Sequence, residues 1–531
     1  MNLVSFTFLI FITGVALLYF ITPRRFQWII LLLASYAVYW KSSHKLVVVL
    51  LFETLVTYAI GLWIGETQSR YKNLLKEEGA SLDRAGKKAL KEKSKKKSRR
   101  ILLAGVILDL GTLLALKYGN FFVHLADPIA ARTGISLPTM QVIIPLGISF
   151  YTLQALAYMI DIYRGKIGPD RNVGKFMLFM SYFPQLVQGP IPRHAQLAGR
   201  LYEGHSFNYE RAAHGAQLML WGYMKKMIIA DRVAVPVAQL FDNYTLYKGP
   251  VVLFAGMLYG LQIYADFSGG IDIVRGFSSI LGIELEINFS QPFFSRSVEE
   301  FWRRWHITLG SWMRDYIFYP LSLSGAFTSL GKKTRKIFGV TFGKKLPAFL
   351  SMFVVYLLVG FWHGPEWKYV AYGIWNGMFI MTGIMFAEAY EKARAAVRIP
   401  AQAFSWRLFQ MLRTFLICSM GRFFSRGASL GAALHMLRSV FTKWWNFSFL
   451  TDGTLTGLGL DHANWTLLIF AVIVLWAVGM LHERGISICA AIDRQPLIFR
   501  WAVYVGAILL IAVVGIYGPS YNAASFIYGG F

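Results

Sequence analysis

Two histidines in this chain stand where an imidazole needs a reason. His363 closes the apolar run LPAFLSMFVVYLLVGFW, inside GFWHGPEW, with tryptophans at 362 and 367 and glycines at 360 and 364. An ionisable side chain at that depth is costly unless it faces protein or a water-filled cavity. Imidazole is neutral near pH 7 yet basic enough to take a proton from a hydroxyl, so its natural chemistry here is general-base catalysis. Gly360 and Gly364 permit close approach of a backbone or a substrate. The plain alternative is a buried histidine satisfied by a backbone carbonyl. His306 lies in EEFWRRWHITLGSWMRDYIFYP, residues 299–320, among Arg303, Arg304, Arg314, Asp315 and three tryptophans. Read as one helix, Trp302, Trp305 and Leu309 share a face with His306 at its edge. An amphipathic helix lying on the bilayer, with His306 a hydrogen-bonded passenger, accounts for the same pattern.

Other polar residues interrupt apolar stretches. YGLQIYADFSGGIDI carries Gln262, Asp266, Ser268 and Asp272; Asp161 follows IIPLGISFYTLQALAYMI; Asp231 and Arg232 close MKKMIIADR. Interhelical hydrogen bonds and ion pairs explain them structurally, and a pathway through the protein explains them functionally. Asp266 is the one expected beside a cavity. Other site classes find no support. There is no phosphate-binding glycine loop, no nucleophile elbow and no histidine pair at zinc spacing. Cys418 and Cys489 have no metal-type spacing and imply no disulfide framework. No metal and no bound cofactor are expected.

The elements that must position these residues are membrane helices. Of 531 residues, 56% are hydrophobic and only 15% are charged, and several runs reach the roughly 18–20 residues that cross a bilayer. The class is all-α polytopic, with candidate spans near 3–22, 27–41, 46–65, 101–121, 140–160, 172–190, 213–230, 250–267, 347–363, 368–387, 405–422, 464–481 and 500–517. About 11–13 spans are expected, a few of them short or polar enough to be re-entrant or interfacial. The formal charge of +26 is read as topology charge meeting anionic headgroups, not as nucleic-acid binding. Its densest block runs from Arg70 to Arg100, with 13 Lys/Arg and 4 Asp/Glu. It is read as a cytoplasmic loop, lying on anionic lipid or docking an acidic partner. A second basic loop, around Lys332, Lys333, Lys344 and Lys345, is placed on the same side. Working outward from the first loop puts both termini outside the cytoplasm. The N-terminus lacks a signal-peptide pattern and reads as a retained span.

FWRRWHITLGSWMRDYIFYPL followed by GFWHGPEWKYVAYGIWNG closely resembles the bacterial membrane-bound O-acyltransferases, in the branch of the alginate acetylation and teichoic acid D-alanyl transfer proteins. The resemblance extends through IPLGISFYTLQALAYMIDIYRG, YFPQLVQGPIPR, YMKKMIIADR and LQIYADFSGGIDI, and covers roughly residues 1–400. It implies a ring of tilted helices around a central tunnel: a core over 1–400 with the basic loop 68–100, C-terminal helices over 401–518, and an outward tail over 519–531. It puts the family's essential histidine on His363 and the second motif histidine on His306. After the Pro-Leu, SLSGAFTSLGKK stands where alginate-type relatives often carry Gly-Gly-Asn, which points away from alginate as acceptor.

The resemblance implies an O-acyltransferase in the bacterial inner (plasma) membrane, passing an acyl group from a cytoplasmic thioester to an outward-facing acceptor. His363 is the general base on an acceptor hydroxyl. His306 orients the donor or polarises its carbonyl. Trp302, Trp305 and Trp362 wall the tunnel against water, and Gln262 and Asp266 complete the substrate-binding set. Acetyl-CoA is the expected donor, and D-alanyl transfer from an acylated carrier protein is the nearest alternative. Partners are membrane lipids, an extracytoplasmic transferase and an envelope polysaccharide. The tail ending FIYGGF resembles the Phe-Ile-Tyr-x-x-Phe terminus of the small membrane partner of the D-alanyl branch. That likeness implies a third catalytic residue, Tyr528, carrying the acyl group as a tyrosyl ester. A solute transporter or channel is the reading from another class; the intramembrane carboxylates favour it, and the lack of an internal repeat opposes it.

Overall fold

Alternation is missing from the apolar runs, so their backbone hydrogen bonds must close within each segment, as helices do in lipid. The computed structural model describes residues 3–78, 81–130, 132, 139 and 143–517, with the side chains of 128, 129, 340–342 and 344 excepted. Helices follow one another along the whole of it. Among the described residues the one β-type pairing is an isolated antiparallel bridge between Phe289 and Trp305. The all-α membrane class is borne out.

Among the described residues, six segments are long and apolar enough to cross a bilayer: Arg24–Glu77, Arg84–Asp127, Pro250–Ile280, Lys345–His363, His462–Glu483 and Leu497–Val514. Trp367–Met385 with Ala387–Ala396, bent by 62°, makes a seventh. The first segment is interrupted by the 3₁₀ turn His44–Leu46 and so holds two of the expected spans. Several other expected spans are shorter or broken. The stretch 172–190 divides into Val173–Ser181 and Phe183–Gln188. Pro184 is tolerated only in a first turn and so opens a new helix. The stretch 213–230 is helical from Tyr209 to Tyr223 and then widens into a π turn, Met224–Ala230. The helix Ile148–Tyr163 spans only 16 residues and is buried almost throughout. It is a core helix, surrounded by protein.

Both basic loops prove to be largely helical. The helix Val47–Glu77 carries the first block as far as Glu77, and Arg84–Ala130 runs unbroken through KKALKEKSKKKSRR into the following span. Lys, Ala, Leu and Glu are strong helix formers, so the propagating helix does not stop at the membrane surface. The stretch around Lys332 is likewise part of the helix Gly325–His363, whose one non-helical residue is Gly339, at φ 77°. Glycine supplies that conformation without a Cβ clash.

Polar side chains join the helices inside. Thr57 donates to Asp109 at 2.8 Å and Thr152 to Glu53 at 2.9 Å. Where Tyr209–Tyr223 meets Pro250–Ile280, a Cβ on Gly222 would lie 2.6 Å from the Gly269 carbonyl. Those two backbones touch, as small residues allow in membrane packing.

Candidate active site

The segment around His306 does not form the single helix its periodicity suggests. Val298–Arg304 and Ile307–Met313 are separate helices, and His306 between them takes φ 49°, ψ 52°. A left-handed conformation at a non-glycine residue is held only where surroundings over-determine it. Here Asn288 does so. Its backbone carbonyl accepts the Ile307 N–H at 3.0 Å, while its side-chain Oδ1 accepts the Thr308 N–H at 3.0 Å and the Thr308 hydroxyl at 2.9 Å. The Ser290 N–H donates to the Arg304 carbonyl, completing a short strand-like pairing. The shared helical face of Trp302, Trp305, His306 and Leu309 is therefore corrected: competing backbone pairing cuts the helix at Trp305.

The same pairing fixes the chemistry of the ring. His306 Nδ1 lies 3.2 Å from Asn288 Oδ1. A backbone N–H donates to that same Asn288 atom, so it is the oxygen and can only accept. In the neutral ring Nδ1 then carries the proton and Nε2 the lone pair.

The motif is clamped from other elements. The Ile191 N–H donates to Thr308 Oγ1 at 3.0 Å, Arg193 donates to the Ser311 carbonyl, and Arg193 pairs with Asp315 at 2.5 Å. The Trp312 indole donates to the Leu153 carbonyl at 2.9 Å, and Tyr316 to Asp161 at 2.7 Å. The stretches YFPQLVQGPIPR and ISFYTLQALAYMID are thus the supports of the His306 segment. Outside the spans, Asp315 feels burial, which alone would raise its carboxyl; hydrogen bonds from Arg314 and Arg193 outweigh this and hold it below the usual carboxylate value.

His363 is the last residue of its helix, 6% exposed, beside 2%-exposed His306. The two rings pack against one indole: Trp362 lies 5.9 Å from His306 and 5.0 Å from His363, centroid to centroid. Phe150 touches both His306 and Trp362, at 6.4 and 5.7 Å. Tyr372 packs edge-on to His363 at 5.6 Å. Gly360 serves close backbone approach, since a Cβ there would overlap the Tyr369 carbonyl oxygen and lie 3.0 Å from Gly373 Cα, and Gly364 lies under the Tyr369 ring. The chain returning after His363 is thereby pressed against it.

The tryptophans divide. Trp302 donates its indole N–H to Asn376 Oδ1 at 3.1 Å and packs near Tyr356 and Tyr372, on the His363 side. Trp305 is buried against Phe301 and Phe289. Asp266 sits in an ion triad: Lys226 Nζ is 2.6 Å from Asp266 and 2.8 Å from Asp231. Gln262 is buried one turn earlier on the same helix. Tyr528 lies outside the described residues. Among the described residues no group of three or more His, Cys, Asp and Glu could hold a metal.

Three residues escaped the sequence reading. Asn288 is an ordinary asparagine in a loop. Arg422 lies 3% exposed, its guanidinium 4.6 Å over the Trp305 ring and 3.3 Å from the Tyr372 hydroxyl. Residues on both sides of position 400 therefore meet at this centre. Lys117 donates to the Trp362 carbonyl at 2.9 Å. A charged residue within an apolar run was the one available signal for the last two. A cavity of about 250 Å³ has Lys225, Ser268, Asp272, Arg275, Asn288 and His482 among its lining residues. A larger cavity of about 340 Å³ is apolar; His482 lines both, and neither includes His306 or His363 in its lining.

Residues 170–421 match the family described as "MBOAT, membrane-bound O-acyltransferase family". The chain is 32% identical over 461 residues to the probable alginate O-acetylase AlgI of Pseudomonas syringae pv. tomato, covering 86% of this chain and 78% of that protein. It is 27% identical over 365 residues to the peptidoglycan O-acetyltransferase of Helicobacter pylori, covering 64% of each. It is 26% identical over 266 residues to the teichoic acid D-alanyltransferase of Streptococcus thermophilus, covering 48% of this chain and 59% of that one. An apolar, multi-helix chain with paired histidines at one buried indole, so matched, is a multi-pass membrane O-acyltransferase: the chain belongs to the membrane-bound O-acyltransferase family.

Proposed function

We propose that the protein moves an acetyl group from cytoplasmic acetyl-CoA to an outward-facing hydroxyl, for O-acylation of an extracytoplasmic envelope polysaccharide. The observation that carries this reading is that the buried rings of His306 and His363 both pack against Trp362, 5.9 and 5.0 Å from it centroid to centroid. His363 takes the proton of the acceptor hydroxyl as its oxygen attacks the thioester carbonyl. The tetrahedral intermediate collapses, the C–S bond breaks, and the thiolate leaves with the proton held by the imidazolium. His306 lies where it can orient the donor or polarise its carbonyl. Trp302, Trp305 and Trp362 keep water from the thioester, and Gln262 and Asp266 belong with them to the substrate-binding set. Asn288, which holds the His306 ring, also lines the smaller cavity, and this supports a donor approach from that side.

In this reading the protein lies in the bacterial inner membrane, both basic helical stretches face the cytoplasm, and both termini face outward. Its units are the core 1–400, the helices 401–518 and the tail 519–531. Tyr528 accepts the acyl group first and offers it to an extracytoplasmic transferase. A phenol of pKa near 10 is a better leaving group than a sugar hydroxyl, so its ester stays activated.

Labelled acetyl-CoA and a D-alanyl-charged carrier protein, each offered to purified protein, decide the donor. Acetyl transfer that falls about 10²–10⁴-fold in His363→Ala is the expected result. Transfer from the carrier alone selects the D-alanyl alternative, and near-normal transfer by His363→Ala refutes the assignment. Normal envelope acylation by Tyr528→Phe refutes the relay.

A further inference from the structure

A helix leaves its last four carbonyls without intrahelical partners, and inside a membrane protein an unsatisfied carbonyl is expensive. The helix that delivers His363 ends inside the protein, with Gly364 extended beyond it. Two adjacent residues of a distant helix, Lys117 and Tyr118 of Arg84–Ala130, meet that end. Lys117 Nζ donates to the Trp362 carbonyl at 2.9 Å and to Ser149 Oγ at 3.1 Å. The Tyr118 hydroxyl donates to the Phe361 carbonyl at 2.7 Å, and its ring stacks on Phe361 at 4.4 Å. The two peptide groups before His363 are gripped by side chains 245 and 243 residues away.

The choice of lysine goes beyond cap formation. An ammonium 7% exposed in an apolar span costs far more than a neutral donor would. What it gains is a charge-assisted bond at the negative end of a helix dipole. Ser149, its second partner, adjoins Phe150, whose ring packs on both Trp362 and His306. One ammonium thus fixes the His363 helix end to the turn that carries a wall of the site.

We infer that Lys117, assisted by Tyr118, is a positioning residue for His363, holding the last turn of its helix so that the imidazole meets the reacting hydroxyl. The inference rests on His363 as general base. A misplacement of about 1 Å can cost about 10²-fold in rate without a change in affinity.

The test uses purified full-length protein and labelled acetyl-CoA, with wild type and His363→Ala in the same series. Failure of wild type to transfer acetyl would count against the proposed function. The positioning role is read separately, as the rate of His363 carbethoxylation by diethylpyrocarbonate, followed by peptide mass spectrometry with His194 as internal control. Lys117→Met is expected to lower kcat about 10–100-fold, leave KM within about twofold, and change His363 modification severalfold while His194 is unaffected. Lys117→Arg, which keeps a cationic donor, should recover most of the loss; Tyr118→Phe should fall between. A Lys117→Met enzyme within about twofold of wild type in kcat, with unchanged His363 modification, overturns the inference. So does equal loss in the Lys117→Met and Lys117→Arg enzymes accompanied by a lower melting temperature, which reduces Lys117 to a structural cap. If Lys117→Met does not fold, Tyr118→Phe decides: wild-type kcat with unchanged His363 modification overturns it.

Discussion

Lys226 is the most informative residue for testing how the core around Asp266 is held. Its ammonium lies 2.8 Å from Asp231 and 2.6 Å from Asp266, and all three side chains are 2% exposed. The triad carries one positive and two negative charges. At an effective dielectric near 20, each opposite pair about 4 Å apart is worth about 4 kcal/mol, and the two carboxylates repel by somewhat less. Lys226→Met deletes both attractions and leaves two carboxylates facing each other in an apolar setting, which is expected to cost about 3–5 kcal/mol. Asp266→Asn removes one charge from a triad that had an excess of negative charge. Lys226 and Asp231 then form a neutral pair, so the cost is about 1–2 kcal/mol, that of one weakened hydrogen bond. Combining Lys226→Met with Asp231→Asn and Asp266→Asn would remove all charge and recover part of the Lys226→Met loss. Melting of the detergent-solubilised protein, followed by size exclusion after heating, gives the order wild type, Asp266→Asn, triple variant, Lys226→Met. Asp266→Asn melting below Lys226→Met would refute this charge accounting and point to a role for the Asp266 carboxylate that the triad does not require.

Asp170 predicts a pH dependence: burial alone would raise its carboxyl, but hydrogen bonds from His194, Tyr202 and the Asn172 N–H hold it below the usual carboxylate value. A depressed carboxyl stabilises above its unfolded pKa and loses that stabilisation as pH falls through the folded one. Below about pH 4, wild-type melting temperature should therefore drop more steeply than that of Asp170→Asn; parallel curves would refute it. Cysteines placed at Lys95 and Lys333, after replacing Cys418 and Cys489, should resist impermeant maleimide in intact cells. Labelling of either from outside reverses the orientation and the direction of acyl flow. Gly360→Val should abolish transfer by driving the Trp367–Met385 helix off the His363 turn, because even a Cβ would overlap the Tyr369 backbone carbonyl oxygen; retained activity would mean that contact is not needed for the site.

Much of this protein was legible along the chain, because bilayer insertion selects for features that are local in sequence. Apolar runs of span length, lysine and arginine clusters, and a histidine at the end of LPAFLSMFVVYLLVGFW are each contained in one window, so the all-α membrane class and the candidacy of His363 followed from the residues. The conformation of His306 did not. Periodicity assumes that a helix continues until a breaker stops it, and WRRWHITL holds neither glycine nor proline before the break. The helix ends there because Asn288, 18 residues before His306, offers its backbone and side chain to Ile307 and Thr308. The cations beside the two motifs were hidden for the same reason. Lys117 and Arg422 act on Trp362 and Trp305 across 245 and 117 positions, and no window on the chain contains both partners. Sequence alone marked the chain as a helical membrane protein and singled out His363 as a candidate. Only tertiary structure decided which side chains meet, because a buried hydrogen bond or ion pair is chosen by the packing of whole helices and leaves no periodic trace in either stretch of sequence that forms it.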